Sequence, residues 1–277
     1  MKNAVVILLA VLPVFAQPPK VLRIFREDIK EGKGGAHERS ETAFMQAAAK
    51  ANFPAHILGL TNFTGTSQAV FLEAFDTFAS IAEAAAVLDT PEFAKLDAAD
   101  AELRISQRSV IAAYRPDLSY AADKTDLPKM RYFNIETIRV REGQGQKFAE
   151  LVKLVVSAAE KSHDNQPVAT YEVVSGAPNG TFLVLEPMES LKSLDQGPQR
   201  EQALMQAVQN GPQTMRELGE TVASGETILF AINPQMSYVP KEWVTASPDF
   251  WTPKPIPVVT KAPAAKPAAK STKGAKK

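Results

Sequence analysis

Aliphatic and aromatic residues interspersed with polar ones make residues 21–26 and 132–140 strand-like, and in the second run Phe133 and Ile135 alternate with Asn134 and Glu136. Each run is followed by a Glu-Gly-x-Gly turn, Glu31-Gly32-Lys33-Gly34 in one place and Glu142-Gly143-Gln144-Gly145 in the other. The apolar spacing then lengthens to that of a helix over about residues 36–51 and 146–161. Two β-rich runs follow each helix, 57–63 with 70–75 and 168–174 with 181–185, and each pair is separated by turn residues as a hairpin requires. A long helical segment and a last strand, 110–114 or 227–232, complete each series.

The two series also share short matches in the same order. Glu31-Gly32-Lys33-Gly34 aligns with its later copy at an offset of 111, and Phe78-Ala79-Ser80-Ile81 aligns with Leu191-Lys192-Ser193-Leu194 at 113. Pro116-Asp117-Leu118-Ser119-Tyr120 aligns with Pro234-Gln235-Met236-Ser237-Tyr238 at 118. Offsets that only grow predict a duplication with small insertions in the second copy. The order βαββαβ is a split-βαβ unit, a four-stranded sheet with both helices on one face and the other face needing cover. The expected fold is therefore α+β: two tandem ferredoxin-like βαββαβ units packed sheet to sheet as an intramolecular α/β barrel.

This element order, with its Gly turn, resembles the dimeric α/β-barrel superfamily. Its members include stress-responsive barrel proteins, antibiotic-biosynthesis monooxygenases and NIPSNAP-type proteins. The resemblance spans residues 21–238 and implies the fold; it brings no catalytic motif and no functional residue.

Composition divides the chain further. Residues 1–16 read as a secretory leader, with Lys2 ahead of a short apolar run and Val14-Phe15-Ala16 as the cleavage site, so export to the periplasm or medium is expected. The two units then occupy 17–120 and 130–240, joined by a linker at 121–129. An aromatic strap at 241–251 holds both Trp residues, Trp243 and Trp251. The tail at 252–277 carries seven Lys and no acid, so it is +7 and predicted to be disordered. With Lys2 adding one more charge and a formal net charge of zero, the body at 17–251 carries −8. That excludes nucleic acid as an expected partner and leaves the tail to contact anionic envelope surfaces. Cysteine is absent, so no disulfide, thiolate or cysteine-linked lipid is available. The oligomeric state is open.

Candidate chemistry is sparse. Three His (His37, His56, His163) are too few and too scattered for a His-rich metal centre, and neither a cofactor nor a metal is expected. Lys30-Glu31-Gly32-Lys33-Gly34-Gly35 lacks the spacing of a phosphate loop, and no Gly-x-Ser-x-Gly elbow is present. His37 and Glu41 share a helix face with Phe44 and Ala48, where the second copy has Phe148, Val152, Val155 and Ala159. An imidazole beside a carboxylate is an acid–base or ligand pair, and its alternative reading is ordinary first-turn polarity. Glu73, Glu136 and Glu172 alternate with apolar neighbours on strands, and Asn134 does the same beside Glu136. Were they to face away from the helices, they would line the barrel interior, with Arg23 or Arg26 as counter-charges and Tyr114 and Tyr171 as aromatic wall; the alternative reading is that they are rim or hairpin residues in water. The expected partner is then a small apolar or aromatic ligand. The function favoured by these features is a non-enzymatic module binding that ligand, or a protein, in the barrel or at its mouth. The alternative is a cofactor-independent monooxygenase-like enzyme acting on an aromatic or apolar small molecule.

Overall fold

The structure, a computed structural model, describes residues 17–252. The expected leader and the expected tail beyond Thr252 lie outside the described residues. Eight strands alternate with helices in two series. The first is β1 (Val21–Ile29), α1 (Gly34–Lys50), β2 (His56–Asn62), β3 (Gln68–Phe75), α2 (Ala79–Leu88), α3 (Pro91–Ala101) and β4 (Arg104–Tyr114). The second is β5 (Tyr132–Val140), α4 (Gly145–Ser162), β6 (Ala169–Ser175), β7 (Thr181–Met188), α5 (Lys192–Asp195), α6 (Gly197–Ala207), α7 (Gly211–Thr221) and β8 (Val222–Ile232). Two short helices, α8 (Lys241–Ala246) and α9 (Pro248–Trp251), follow. No helix among the described residues is long and apolar enough to cross a membrane.

The strands form one closed antiparallel barrel in the order β1-β3-β2-β8-β5-β7-β6-β4. Closure comes from edge pairing rather than from stacked sheets. Strand β2 pairs with β8 through Leu60↔Ile232 and its neighbours, and β4 pairs with β6 through Tyr114↔Tyr171 and its neighbours. Each seam satisfies backbone groups that an open edge would leave unpaired. The segment after each last strand then crosses to the opposite half. Tyr120 bridges Val168 and buries Leu118 under α4, while Tyr238 bridges Ile57 and buries Met236 beside α1. Gly59 makes the second crossing feasible, because a Cβ there would stand 2.2 Å from the Met236 carbonyl oxygen.

Local chemistry explains the element ends. Gly32 and Gly143 adopt φ of +73° and +75°, a left-handed turn open to glycine, just before α1 and α4. The long helical segment expected in each half is broken. In the first half Pro91 restarts the helix as α3, with Thr90 Oγ1 accepting from the Phe93 N–H. In the second, Pro198 and Pro212 restart α6 and α7. The last strands are longer than the apolar run suggested, since Arg104–Gln107 continue β4 with polar side chains.

The two strand faces have different fates. Leu22, Ile24, Leu58, Val70, Leu72, Phe133, Leu185, Ile228 and Phe230 point inward and fill the barrel core. Phe25, Ile57, Phe71 and Phe75 point outward onto α1, α2 and α3. The core fills the middle of the barrel, leaving apolar pockets of about 230 Å³ and 300 Å³ that share Leu72 and Leu185. The segment at α8 and α9 packs on the first of these pockets' end. There Trp251 Nε1 donates to the Pro128 carbonyl (3.0 Å), and the Arg131 guanidinium lies 3.9 Å from the Phe250 ring centroid.

Candidate functional site

Strand β1 carries Arg23, Phe25 and Glu27 on the face that looks at the helices, and α1 turns His37, Glu41, Met45 and Ala48 down onto that face. The α1 row differs slightly from the one the spacing suggests: Met45 is fully buried, and Phe44 packs beside it with partial exposure. Helix α3 adds Asp100, and Arg104 opens β4 one turn later. Between these elements lies a cavity of about 350 Å³. Phe25, Phe44, Ile57, Phe71 and Phe93 give it apolar walls, while Glu27, Glu41, Asp100, Arg104 and Gln107 close one end. Glu73 lies about 13 Å further along, four strand residues from the Glu27 level at about 3.3 Å each.

The polar end is a compact, buried constellation. Glu27, His37, Glu41 and Asp100 are 2%, 2%, 8% and 3% exposed. Glu27 Oε2 lies 2.7 Å from His37 Nε2, and Glu27 Oε1 accepts from Arg104 Nη1 at 2.7 Å and Gln107 Nε2 at 3.0 Å. Asp100 Oδ2 lies 3.7 Å from His37 Nε2 and 3.1 Å from Arg104 Nε, yet neither Asp100 oxygen receives a well-directed hydrogen bond. Arg104 is held further by Asp97, whose Oδ1 accepts from Nη2 at 2.7 Å.

Three carboxylates in so small a space cannot all ionise freely. Burial pushes the Glu41 carboxyl up to about 9, and the negative charges of Glu27 and Asp100 add to the shift. Burial likewise raises Asp100, against the pull of His37 and Arg104. For Arg104, burial works downward, but its bonds to Asp97 and Glu27 outweigh it and hold the guanidinium charged. Such an end can hold a proton, a cation or the polar atom of a substrate, whereas the Phe-lined body accepts an apolar ring.

Of the residues singled out from sequence, His37 and Glu41 meet here, and Glu73 lines the same cavity, paired with Arg23. The expectation that Glu73, Glu136 and Glu172 line the barrel interior is corrected. Their strand neighbours Leu72, Ile135, Tyr171 and Val173 take the inward positions, so period-two geometry turns the acids outward. Glu136 stands apart on the second half's helix side, where burial raises its pKa. Glu172 takes a hydrogen bond from Arg115 Nη1. Tyr114 and Tyr171 do face inward, with ring centroids 5.3 Å apart, and Tyr171 donates to the Pro19 carbonyl. Arg26 binds Gln68 and Glu226 instead of a carboxylate of that set.

Sequence reasoning passed over Glu27, Asp100 and Arg104. The signal was available in part: Glu27 falls on the same strand face as Phe25 and Ile29, and Asp100 precedes Arg104 by one helical turn.

No protein-family model matches the chain, and no curated protein matches it in sequence. Solved structures do match in shape. A proposed monooxygenase from Lactobacillus acidophilus aligns with a TM-score of 0.53 at 10% identity, covering 80% of this chain and 97% of that one. An anthrone oxidase-like protein aligns at 0.55 and 12% identity, covering 77% and 92%. A proposed chlorite dismutase aligns at 0.50 and 14% identity, covering 78% and 96%. These likenesses establish the fold as that of the dimeric α+β barrel proteins. They also correct the functional expectation: structures of this shape carry the names of enzymes, so the preference for a non-enzymatic module is overturned.

Proposed function

We propose that the chain is an oxidising enzyme of the monooxygenase-like kind, working on a small aromatic or apolar molecule in the cavity between the β1–β3 face and helices α1–α3. One observation carries this reading. The second series of elements builds the same place in hydrocarbon. Ile29 pairs with Arg104 as Val140 pairs with Val222, and Glu27 pairs with Ala69 and Gln107 as Ile138 pairs with Phe182 and Gly225. By that register Ile138, Phe148, Val152, Leu218 and Val222 take the positions of Glu27, His37, Glu41, Asp100 and Arg104, and all five belong to one apolar cluster. We read the two series as copies of one βαββαβ unit, one of which kept a solid core. The fold therefore manages without the polar set, and burying three carboxylates costs free energy that packing does not require. A role in chemistry is the economical reason for them.

The arrangement suits a substrate whose ring lies among Phe25, Phe44, Phe71 and Phe93 with an activated CH2 group directed at the polar end. The proton leaving carbon is received there, and the resulting electron-rich carbon reacts with dioxygen. Net, two C–H bonds break and one C=O bond forms. One oxygen atom enters the product and the other leaves as water with both hydrogens. The carbon loses four electrons and dioxygen gains four, so the reaction balances with dioxygen as sole oxidant. The shared cavity, the aromatic walls and the enzyme names of similarly shaped structures support this reading.

The test is oxygen uptake by the full chain with a panel of anthrones and other polycyclic aromatic compounds that bear a ring-activated CH2 group, with products identified by mass spectrometry. Uptake that gives a ketone or quinone, and falls at least tenfold (on the order of 10²–10⁴ for loss of proton transfer) in folded His37→Phe/Glu41→Val, is expected. Equal rates in wild type and that variant, or no uptake with any member, would overturn it.

A further inference from the structure

We infer that Glu27, His37, Glu41 and Asp100 form a binding site for one divalent first-row transition-metal ion at the polar end of the cavity. This rests on the cavity being the working site and says what its polar end holds. Each of the four residues offers one ligating atom, and these atoms lie within 4.8 Å of one another. A tetrahedral site with bonds of about 2.1 Å sets its ligand atoms roughly 3.4 Å apart. The His37 Nε2 distances to Glu27 and Asp100, 2.7 Å and 3.7 Å, bracket that separation.

Asp100 points to a ligand independently of the count of acids. It is 97% buried by its 3% exposure, its oxygens face the cluster, and neither has a well-directed hydrogen-bond partner. A buried carboxylate left this way is costly unless something fills its coordination. The charge balance agrees. With all three carboxylates deprotonated, as ligation of a cation requires, they and the Arg104 guanidinium sum to −2 beside a neutral imidazole, the charge that a divalent cation cancels. Gln107 and Arg104 fix Glu27 through its Oε1, leaving Oε2 toward His37, which is the orienting support that ligating carboxylates usually have. One imidazole with oxygen donors suits manganese, iron or zinc over calcium or magnesium, which prefer oxygen alone.

The experiment is calorimetric titration of chelator-treated full chain with MnCl2 and, separately, ZnCl2, with no aromatic substrate present. One ion per chain is expected, with quenching of the aqueous Mn2+ magnetic-resonance signal, and binding at least about tenfold weaker in His37→Phe and in Asp100→Asn. Glu41→Gln, which keeps the shape of the side chain, serves should either variant fail to fold, and the same weakening is expected. Absence of binding by folded wild type, or unchanged affinity in the folded variants, overturns the site. Failure here with oxygen uptake persisting in chelator removes the metal and leaves the enzyme; one bound ion with no uptake does the reverse.

Discussion

Replacing Arg104 alone, and replacing the whole polar set at once, should have opposite effects on stability. The Arg104 side chain is 8% exposed and contacts Glu27 and Asp100, whose side chains are 3% and 4% exposed. Arg104→Val removes the guanidinium that both acids share and leaves them buried. Breaking such a pair costs about 3–5 kcal/mol. The Asp97 contact adds little, since that side chain is 65% exposed and its pairing is screened by water. For a chain of this size, about 2–4 °C per kcal/mol converts this to a melting temperature lower by roughly 6–20 °C. The fivefold variant Glu27→Ile, His37→Phe, Glu41→Val, Asp100→Leu, Arg104→Val copies the set that packs under α4 and α7. Exchanging a buried ionic group for packed hydrocarbon of similar volume is neutral or stabilising by about 1–4 kcal/mol. The fivefold variant should therefore match or exceed wild type although it contains the damaging single change. Urea unfolding of chelator-treated protein, followed by circular dichroism and by the fluorescence of Trp243 and Trp251, measures both. A fivefold variant as unstable as Arg104→Val, or worse, would show that the polar set holds the fold together and that hydrocarbon cannot replace it there.

Burial raises the pKa of Glu73 in spite of the Arg23 pairing, so its contribution to stability is present below the ordinary 4.5 and lost as pH rises through the raised value. Glu73→Gln should accordingly lose less stability than wild type between pH 5 and pH 8; an equal or larger loss in the variant refutes the assignment. Gly59→Ala should destabilise by about 1–3 kcal/mol or more, because the new Cβ meets the Met236 carbonyl and must push the second-half segment off β2; an unchanged urea midpoint would mean that this crossing is loose. Export is expected to remove residues 1–16, and an intact mass of secreted material that still includes them would count against the leader.

Much of the architecture was legible in the linear pattern because strand and helix periods are local properties. The strand-like runs at 21–26 and 132–140, the two Glu-Gly-x-Gly turns and the paired β-rich runs identify elements that the structure contains. The imbalance between His37 with Glu41 and Phe148 with Val152 was visible for the same reason, since both rows lie on single helices. Sequence also ruled out thiol and disulfide chemistry outright. Tertiary structure alone decided which strand face meets the helices. Either face of β3 could have been read as the inner one: Phe71, Glu73 and Phe75 alternate with Val70, Leu72 and Ala74, and both sets are apolar enough to bury. Barrel closure settles it by enclosing the aliphatic set, which places Glu73 and Glu27 under the helices. Closure likewise joins β1, α1, α3 and β4, so that Glu27 meets Arg104, 77 positions away, and Asp100 meets His37. No periodicity encodes a meeting of that kind, because it depends on strand order and register, which are set by long-range pairing after the elements exist.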